Sequence, residues 1–354
     1  MKEALLYSKE KISGKELIRC KLCAHYCLIS EGKTGICTAR LNKNGKLYTY
    51  SYGKTTGLAM DPIEKKPFFH FKPGAQVLSF GTFGCNFRCL GCQNFATSQQ
   101  NLQSMMNSLL QETFPKEIAE EAFRQDADGI AYTYNEPTIF FEYARDTILE
   151  ARKIDNDRKT PKEKRKFNVF VTNGYFMEEM WKLVEKEKLL DAVRIDLKSM
   201  SDKFYREYCK ATLEPVLQSI KRVGKSKTHI EVIALLVPKM NDSKNEIREL
   251  ANFVASVGKD IPLHFLRFFP NYNAGNIPAT ERETLINARK IALDEGLKYV
   301  YVGNMPEIGA ENTYCPKCKA LLIERTGYGI TKNVFSEEKK PFCPECKTKI
   351  KIVL

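Results

Sequence analysis

The chain has 354 residues, 43% of them hydrophobic, which is enough to bury a core in two domains or in one α/β barrel with small attachments. No apolar run approaches the ~18 residues that span a bilayer, and the N-terminus lacks a signal-peptide stretch, so we expect a cytoplasmic protein without a membrane partner. The net charge is +13, but the basic residues are scattered without interleaved aromatics, so a nucleic-acid partner is not expected.

Eleven of the twelve cysteines fall in three clusters, a pattern typical of metal ligands and not of disulfides. The remaining one, Cys209, is expected to be a buried structural residue. The first cluster has the spacing CxxCx₃Cx₉C and forms a closed site for zinc or for a second iron–sulfur cluster, with zinc favoured. We call these residues the N-terminal thiols: Cys20, Cys23, Cys27 and Cys37.

His25 lies between the N-terminal thiols and is expected at the surface, not on the metal. Further along, Asn44-Gly45 separates two alternating runs, Ile36 to Leu41 and Lys46 to Tyr52, and this pattern predicts a β-hairpin. We therefore expect residues 1–72 to form a small metal module that includes this hairpin.

The second cluster, Cys85, Cys89 and Cys92, follows a short apolar run and has the spacing CxxxCxxC. Three thiolates on one loop can bind three irons of a four-iron cluster and leave the fourth iron open to a non-protein ligand. Zinc is the alternative, but zinc sites usually close with a fourth Cys or His, and none is near in the sequence. The spacing therefore favours a cluster that takes part in chemistry.

From residue 77 to about 302, short β-branched runs alternate with amphipathic helical ones, which is typical of a parallel sheet with crossover helices. Six βα units predict a partial barrel over residues 73–308, with functional residues at the C-terminal ends of its strands. The predicted strands are Val77–Phe80, Gly129–Tyr134, Asn168–Thr172, Ala192–Asp196, Ile230–Val237 and Pro262–Phe268, with a seventh at Tyr299–Val302.

The third cluster consists of two CPxC pairs separated by twenty-four residues. This spacing predicts a zinc ribbon over residues 309–354, with rubredoxin-type iron as the alternative. We call its members the ribbon thiols: Cys315, Cys318, Cys343 and Cys346. The expected fold is thus α/β, a partial (βα)6 TIM-like barrel with small cysteine-rich metal modules at both ends.

CxxxCxxC after a first β-strand resembles the radical S-adenosylmethionine (SAM) superfamily. The resemblance implies a [4Fe–4S] cluster whose open iron is chelated by the amino and carboxylate groups of SAM, and one-electron cleavage of SAM to methionine and a 5′-deoxyadenosyl radical. The ordered motifs CxxCx₃C, DPIEKKP, GCNxxCxxCQN, NEPT, TNGY, DLK and the CPxC tail are similar to the radical SAM component of the AmmeMemoRadiSam system, a relative of pyruvate formate-lyase activating enzymes.

The resemblance also implies which residues bind SAM. Glu136-Pro137 matches the GGEP stretch that holds the SAM amino group, although the alternative is an acid that stabilises a helix N-terminus. The TNG and DLK motifs are similar to activase strand ends that bind SAM and a small cation, but Val171 replaces a carboxylate there and Arg194 is an added cation. The implied cofactor-binding residues are Asn94, Asn135, Glu136, Thr172, Asn173, Asp196, Lys198, His264 and Arg267.

We therefore expect a radical SAM enzyme that acts on an unidentified substrate, with Memo-like and AMMECR-like proteins as partners and a ferredoxin or flavodoxin as electron donor. The expected cofactors are a [4Fe–4S] cluster, SAM, zinc at the ribbon thiols, and zinc or a second iron–sulfur cluster at the N-terminal thiols. Two alternatives remain, namely an activating enzyme for a glycyl-radical enzyme and a zinc-dependent nucleic-acid-binding protein.

Overall fold

The computed structural model describes residues 1–99, 111–305, 309–336 and 340–354. A central sheet of eight strands, β8, β9 and β11 to β16, is accompanied by four smaller sheets. In chain order the strands are β1 (Lys2–Glu3), β2 (Tyr7–Ile12), β3 (Lys15–Cys20), β4 (Leu28–Ile29), β5 (Arg40–Lys43), β6 (Lys46–Thr49), β7 (Lys54–Thr55), β8 (Leu58–Pro62), β9 (Gln76–Phe80), β10 (Gln111–Glu112), β11 (Gly129–Tyr132), β12 (Phe167–Thr172), β13 (Ala192–Asp196), β14 (His229–Leu236), β15 (Leu263–Arg267), β16 (Val300–Gly303), β17 (Thr313–Tyr314), β18 (Leu321–Thr326) and β19 (Gly329–Asn333).

The helices follow most strands of the central sheet, as the alternating sequence pattern predicts. The α-helices of the described residues are α1 (Phe95–Ser98), α2 (Pro115–Arg124), α3 (Phe141–Asp157), α4 (Glu178–Glu187), α5 (Asp202–Phe204), α6 (Glu214–Gly224), α7 (Lys244–Val257) and α8 (Arg282–Asp294). None of these described helices combines the length and the apolar composition that a membrane span needs.

Helix α7 shows how the local sequence sets an element. The Ser243 hydroxyl accepts a hydrogen bond from the Glu246 N–H at 3.2 Å, which satisfies a donor that the first helical turn leaves open. The buried residues then recur at intervals of three and four, at Ile247, Leu250 and Val254, so one face of the helix is apolar.

The chain divides into two compact units. The first comprises Met1–Asp61, Gln76–Asp191 and Cys209–Ala211. Its part of the central sheet has the order β12-β11-β9-β8, and β11 pairs in parallel with both β9 and β12. Because the carboxyl ends of β9, β11 and β12 lie at one edge, the loops that follow them are brought together.

The N-terminal segment of the first unit contains the predicted hairpin, formed by β5 and β6. Asn44 and Gly45 both have positive φ, as a two-residue hairpin turn requires. Strand β5 begins at Arg40 and not at Ile36 as predicted, because Thr38 has a φ of +63° and breaks the extended run.

The second unit comprises Pro62–Ala75, Ala192–Tyr208 and Thr212–Leu354. Its part of the central sheet has the order β16-β15-β14-β13, and all three pairs are parallel. One hydrophobic cluster joins β16 to the C-terminal segment, and its buried members are Phe69, Tyr299, Tyr301, Cys315, Leu322, Ile323, Phe335, Cys343, Ile350 and Ile352.

All seven strands predicted between residues 77 and 302 are present, with ends within two residues of the predicted ones. The α/β class with a parallel sheet is therefore confirmed. The turn at Gly327, which has a φ of +58°, connects β18 and β19 as a hairpin within the expected ribbon. The division into residues 1–72, 73–308 and 309–354 stays a prediction.

Candidate active site

The three cysteines of the second cluster lie on the loop that follows β9, and helix α1 closes this loop. Cys85, Cys89 and Cys92 are all half-buried. Gly84, just before them, has a φ of +77°, and a β-carbon at this position would lie 2.2 Å from the carbonyl oxygen of Cys37. Only glycine fits there, so the shape of the loop depends on this residue. We call residues 84–98 the catalytic loop.

Hydrogen bonds within the catalytic loop already reach two of its sulfurs. The Phe87 N–H donates to Cys85 Sγ at 3.3 Å, and Ser98 Oγ lies 3.1 Å from Cys92 Sγ. Burial raises the pKa of the Cys85 thiol well above its ordinary value, and the Glu136 carboxylate adds to this effect. A metal cation bound at the loop would reverse the preference, because it favours the thiolate.

A chain of amide groups connects the catalytic loop to the end of β12. Asn173 Nδ2 donates to Asn86 Oδ1 at 2.7 Å, and the Asn173 N–H donates to Glu136 Oε2 at 2.8 Å. Asn86 Nδ2 is buried and has no hydrogen-bond partner among the described residues. Since buried donors are nearly always paired, this amide marks a place where a bound group would supply an acceptor.

Glu136 follows β11 and is hydrogen-bonded to residues at the end of β12. Its side chain is 1% exposed. Oε1 accepts hydrogen bonds from the N–H and hydroxyl of Thr138 and, at 2.6 Å, from the hydroxyl of Thr172. Burial raises the pKa of this carboxyl, against the opposing effect of its donors. Its role as acceptor of the SAM ammonium stays a prediction.

Of the two residues that replace the glycines of GGEP, Tyr134 keeps a glycine-like backbone conformation. Tyr134 has a φ of +67°, the left-handed conformation that side chains rarely adopt. Its carbonyl accepts a hydrogen bond from Asn94 Nδ2. Asn135 Nδ2 donates to the Gly84 carbonyl at 2.9 Å and to the Thr82 hydroxyl at 3.1 Å. The structure thus brings Asn94 and Asn135 to the catalytic loop.

These residues fit the group that the CxxxCxxC spacing implies. Three partly accessible thiols lie on one loop, and the buried Asn86 Nδ2, which has no hydrogen-bond partner among the described residues, lies on the residue next to Cys85. Cys85, Cys89 and Cys92 would hold an iron–sulfur cluster with one open iron. The neighbouring polar groups at the strand ends are available for an amino acid-like ligand such as the methionine part of SAM.

In the second unit, Asp196 at the end of β13 lies between two cations. Arg194 Nη2 is 2.9 Å from Oδ1, and Lys198 Nζ is 3.0 Å from Oδ2. Although burial opposes the effect, Arg194 and then Lys198 hold the pKa of Asp196 below its ordinary value. The expected placement of Arg194 and Asp196 on one strand face is confirmed.

Two further predicted SAM contacts lie on β15. His264 is 1% exposed, and its Nε2 is 2.7 Å from Glu231 Oε2. Arg267 Nε donates to the Thr280 carbonyl at 2.8 Å, and its guanidinium lies over the Phe269 ring. Both side chains therefore have protein partners, and their contacts with SAM stay predictions.

The ribbon thiols form a compact set of four sulfurs within 4.8 Å of one another. The Cys315–Cys346 and Cys318–Cys343 sulfur distances are 3.5 and 3.6 Å. A tetrahedral ion with Zn–S bonds of about 2.3 Å separates its sulfurs by about 3.8 Å, so this set fits a single metal ion. The identity of the metal stays a prediction.

The N-terminal thiols are more deeply placed. Cys20, Cys23 and Cys37 are buried and Cys27 is half-buried. Burial raises the pKa of Cys23 well above its ordinary value, and the other three sulfurs add to this effect. Among the described residues the set of ligand atoms close enough to share one metal ion is that of the ribbon thiols, and zinc or iron–sulfur at the N-terminal thiols stays a prediction.

Sequence reasoning missed Asn86, Arg88 and Ser98, all of which lie on the catalytic loop. Asn86 and Arg88 stand between the cysteines, so their position inside a cofactor motif was an available signal. Ser98 carried no such signal, because its approach to Cys92 depends on the turn that α1 makes after the motif.

Comparison with known proteins agrees with this geometry. Residues 80–254 match the radical SAM superfamily. An uncharacterized protein of Methanocaldococcus jannaschii is 45% identical over 356 residues, which cover 100% of both chains.

Two solved structures are similar at a lower level. A domain of pyruvate-formate lyase-activating enzyme from Bacteroides vulgatus is 19% identical with a TM-score of 0.38, over 50% of this chain and 100% of that one. A radical SAM methyltransferase from Sphaerobacter thermophilus is 13% identical with a TM-score of 0.45, over 65% of this chain and 70% of that one. Both TM-scores are below 0.5, so neither carries the assignment. On the family match and the site geometry, the chain belongs to the radical SAM superfamily and is an enzyme of the radical SAM type.

Proposed function

We propose that this enzyme holds a [4Fe–4S] cluster on Cys85, Cys89 and Cys92, binds SAM beside it, and uses the 5′-deoxyadenosyl radical to abstract hydrogen from a substrate. The observation that supports this most directly is the catalytic loop, where three half-buried thiols lie within eight residues and the buried Asn86 Nδ2 has no hydrogen-bond partner in the described part of the chain. When bound and reduced, the cluster supplies the electron that cleaves SAM.

The polar residues around the loop have a positioning role in this proposal. Glu136 holds Thr172 and the Asn173 N–H at the end of β12, and Asn173 in turn orients Asn86 beside Cys85. Each contact is buried, so the arrangement is fixed before SAM arrives. The Asn86 Nδ2 hydrogen is then available to an acceptor atom of a bound group.

The proposed partners of the enzyme are Memo-like and AMMECR-like proteins, and its proposed electron donor is a ferredoxin or flavodoxin, as the resemblance to the AmmeMemoRadiSam system implies. The proposed location is the cytoplasm, since a reducing compartment keeps thiols available for metal binding. Addition of purified Memo-like and AMMECR-like proteins should raise the yield of 5′-deoxyadenosine if they present or constitute the substrate.

The catalytic role of the loop is tested by replacing its three cysteines with alanine. Anaerobically reconstituted wild-type protein should release 5′-deoxyadenosine after reduction with dithionite, and the Cys85→Ala/Cys89→Ala/Cys92→Ala variant should release none. Metal analysis should still find zinc in the variant, because the ribbon thiols are separate. Cys209→Ala, which removes a buried thiol outside the clusters, is the control and should retain cleavage. Continued 5′-deoxyadenosine release by the triple variant would contradict the proposal.

A further inference from the structure

Within the first unit, the segment that carries the N-terminal thiols rests directly on the catalytic loop. The carbonyl oxygen of Cys37 occupies the space that a side chain at Gly84 would need. On the same side, His25 Nε2 lies 2.6 Å from the carbonyl oxygen of Asn86. Both contacts fall on neighbours of Cys85, so the backbone on either side of this cysteine is held by residues from the N-terminal segment.

Arg88 adds a third connection. Its Nη1 donates to three carbonyl groups of the catalytic loop, those of Cys85 at 2.9 Å and of Phe87 and Ser98 at 3.3 Å. Its Nη2 donates to the carbonyl of Ile36, which precedes a ligand of the N-terminal set. The Arg88 guanidinium therefore links both ends of the catalytic loop to the N-terminal segment through hydrogen bonds.

The N-terminal segment has little regular structure of its own. Between the end of β3 at Cys20 and the start of β5 at Arg40, the only strand is the two-residue β4. Four thiols, three of them buried, lie in this stretch. A metal bound by such ligands contributes its binding free energy to folding, so it is a natural source of order for a segment of this kind.

A buried cation beside the N-terminal thiols fits a metal–thiolate complex. Arg40 is 1% exposed, forms an ion pair with Glu142 at 2.6 Å, and interacts electrostatically with three of the thiols. Its Nε is buried without a hydrogen-bond partner among the described residues. Four thiolates around a divalent ion carry two excess negative charges, and although the Arg40 charge is paired with Glu142, its buried Nε–H is a donor that such a complex could use.

We propose that a metal centre bound by the N-terminal thiols holds the catalytic loop in the shape that lets Cys85, Cys89 and Cys92 bind their cluster, with Arg88 as the positioning residue between the two sites. The inference rests on the proposed function of the catalytic loop and adds a second metal site on which that function depends.

Two variants of the full-length, anaerobically reconstituted protein test the two halves of this inference. Cys27→Ala removes the least buried N-terminal thiol, so it should release that metal and leave the ribbon metal in place. Arg88→Met should keep the N-terminal metal and the ribbon metal but lose the hydrogen bonds between the catalytic loop and the Ile36 carbonyl. In each variant we expect an altered electron paramagnetic resonance (EPR) spectrum of the reduced cluster with SAM, and at least a tenfold slower release of 5′-deoxyadenosine.

The controls separate this role from a general loss of stability. Arg152 also donates to two backbone carbonyls, those of Glu187 and Lys188, so Arg152→Met is the matched control and should have a wild-type spectrum. Arg88→Lys should recover part of the activity. Retention of the N-terminal metal in Cys27→Ala, or a wild-type spectrum and rate in either test variant, overturns the inference. If the wild type itself releases no 5′-deoxyadenosine, it is the proposed function that fails.

Discussion

Glu136 receives four hydrogen bonds from Thr138, Thr172 and Asn173, three of them on Oε1 and one on Oε2. Each carboxylate oxygen can accept about two bonds comfortably, so Oε2 is the atom with capacity for a further donor. The helix N-terminal role that the sequence left open is therefore present, since Glu136 caps the short helix Pro137–Phe140. A ligand ammonium could still share Oε2 with the Asn173 N–H.

Glu136→Gln tests whether this oxygen also binds SAM. The glutamine side chain carries no charge, and its NH₂ group replaces one carboxylate oxygen. That NH₂ donor then faces the N–H and hydroxyl donors that surround Glu136. We expect SAM affinity to fall on the order of tenfold or more, because a hydrogen bond to a charged group contributes about 1.5 to 3 kcal/mol. Equilibrium dialysis with SAM measures the change, and the iron content should stay at the wild-type value. Thr138→Val, which removes a donor from Oε1 only, is the control; equal SAM affinity in wild type and Glu136→Gln would leave the residue with a structural role alone.

Three charged side chains lie together at the carboxyl end of strand β13. Arg194 and Asp196 alternate along it, Lys198 follows two residues after its end, and the two cations share one carboxylate. Arg194 Nε is buried without a hydrogen-bond partner among the residues described in the structure. At this strand end two cations already flank the one carboxylate, so Asp196 offers no uncompensated negative charge to a monovalent cation.

We therefore expect SAM cleavage by the wild type to be the same in sodium and in potassium buffers. Arg194→Ala should slow cleavage, since Asp196 then keeps only Lys198 as a partner. The measurement is the initial rate of 5′-deoxyadenosine release in matched buffers. Arg206→Ala removes an exposed arginine that pairs with Asp202, and it should leave the rate unchanged. A strong potassium requirement of the wild type would exclude this role for Arg194.

The central strands could be predicted because each is a short β-branched run bounded by polar residues, and β13 matches its predicted bounds. Strands β2 and β3 were missed, because residues 1–19 are largely polar and their hairpin depends on Ser13 and Gly14, both with positive φ. The spacing alone indicates Cys85, Cys89 and Cys92 as cluster ligands, and this role stays a prediction. The position of Arg88 between the cysteines was a signal, but the contacts of Arg88 with Ile36 and of His25 with Asn86 join residues 52 and 61 positions apart, and such packing leaves no local sequence pattern.

On the scale of the whole molecule, the second unit buries an unusual set of charged and polar groups. Glu231 is fully buried and accepts hydrogen bonds from the Phe69 and His70 N–H groups. His229 and His264 each place Nε2 against the same carboxylate, at 3.1 and 2.7 Å. Their hydrogen bonds outweigh burial and hold the pKa of Glu231 well below its ordinary value. This network joins the segment Pro62–Ala75 to β14 and β15 of the same unit.

The buried histidines make the stability of the protein sensitive to mild acid. Burial lowers the pKa of His70 to about 4 and that of His264 below its ordinary value, so both rings stay neutral while the unfolded chain takes up protons below about 6.5. Stability is therefore complete above that pH and falls as the pH drops toward 4. His70 alone should lower the free energy of unfolding by roughly 2 kcal/mol between pH 7.5 and 5.0.

Urea unfolding followed by circular dichroism at the two pH values measures this loss. His70→Asn should be less stable at neutral pH and should lose less stability on acidification, because it removes one titrating ring. His229→Asn, which removes another imidazole beside the same Glu231 carboxylate, is the comparison. An identical pH dependence in wild type and His70→Asn would show that the imidazole is not the group that takes up the proton.

The N-terminal thiols and the catalytic loop, which contact each other at Gly84, differ in the exposure of their cysteines, and this difference bears on how readily each is oxidised. Cys85, Cys89 and Cys92 are all half-buried, whereas among the N-terminal thiols Cys27 is half-buried and Cys20, Cys23 and Cys37 are buried. We therefore expect small oxidants to find three accessible thiols on the catalytic loop and one, Cys27, in the neighbouring set. If the three buried thiols survive such damage, the segment that supports the loop stays in place while iron and sulfide are reassembled on it.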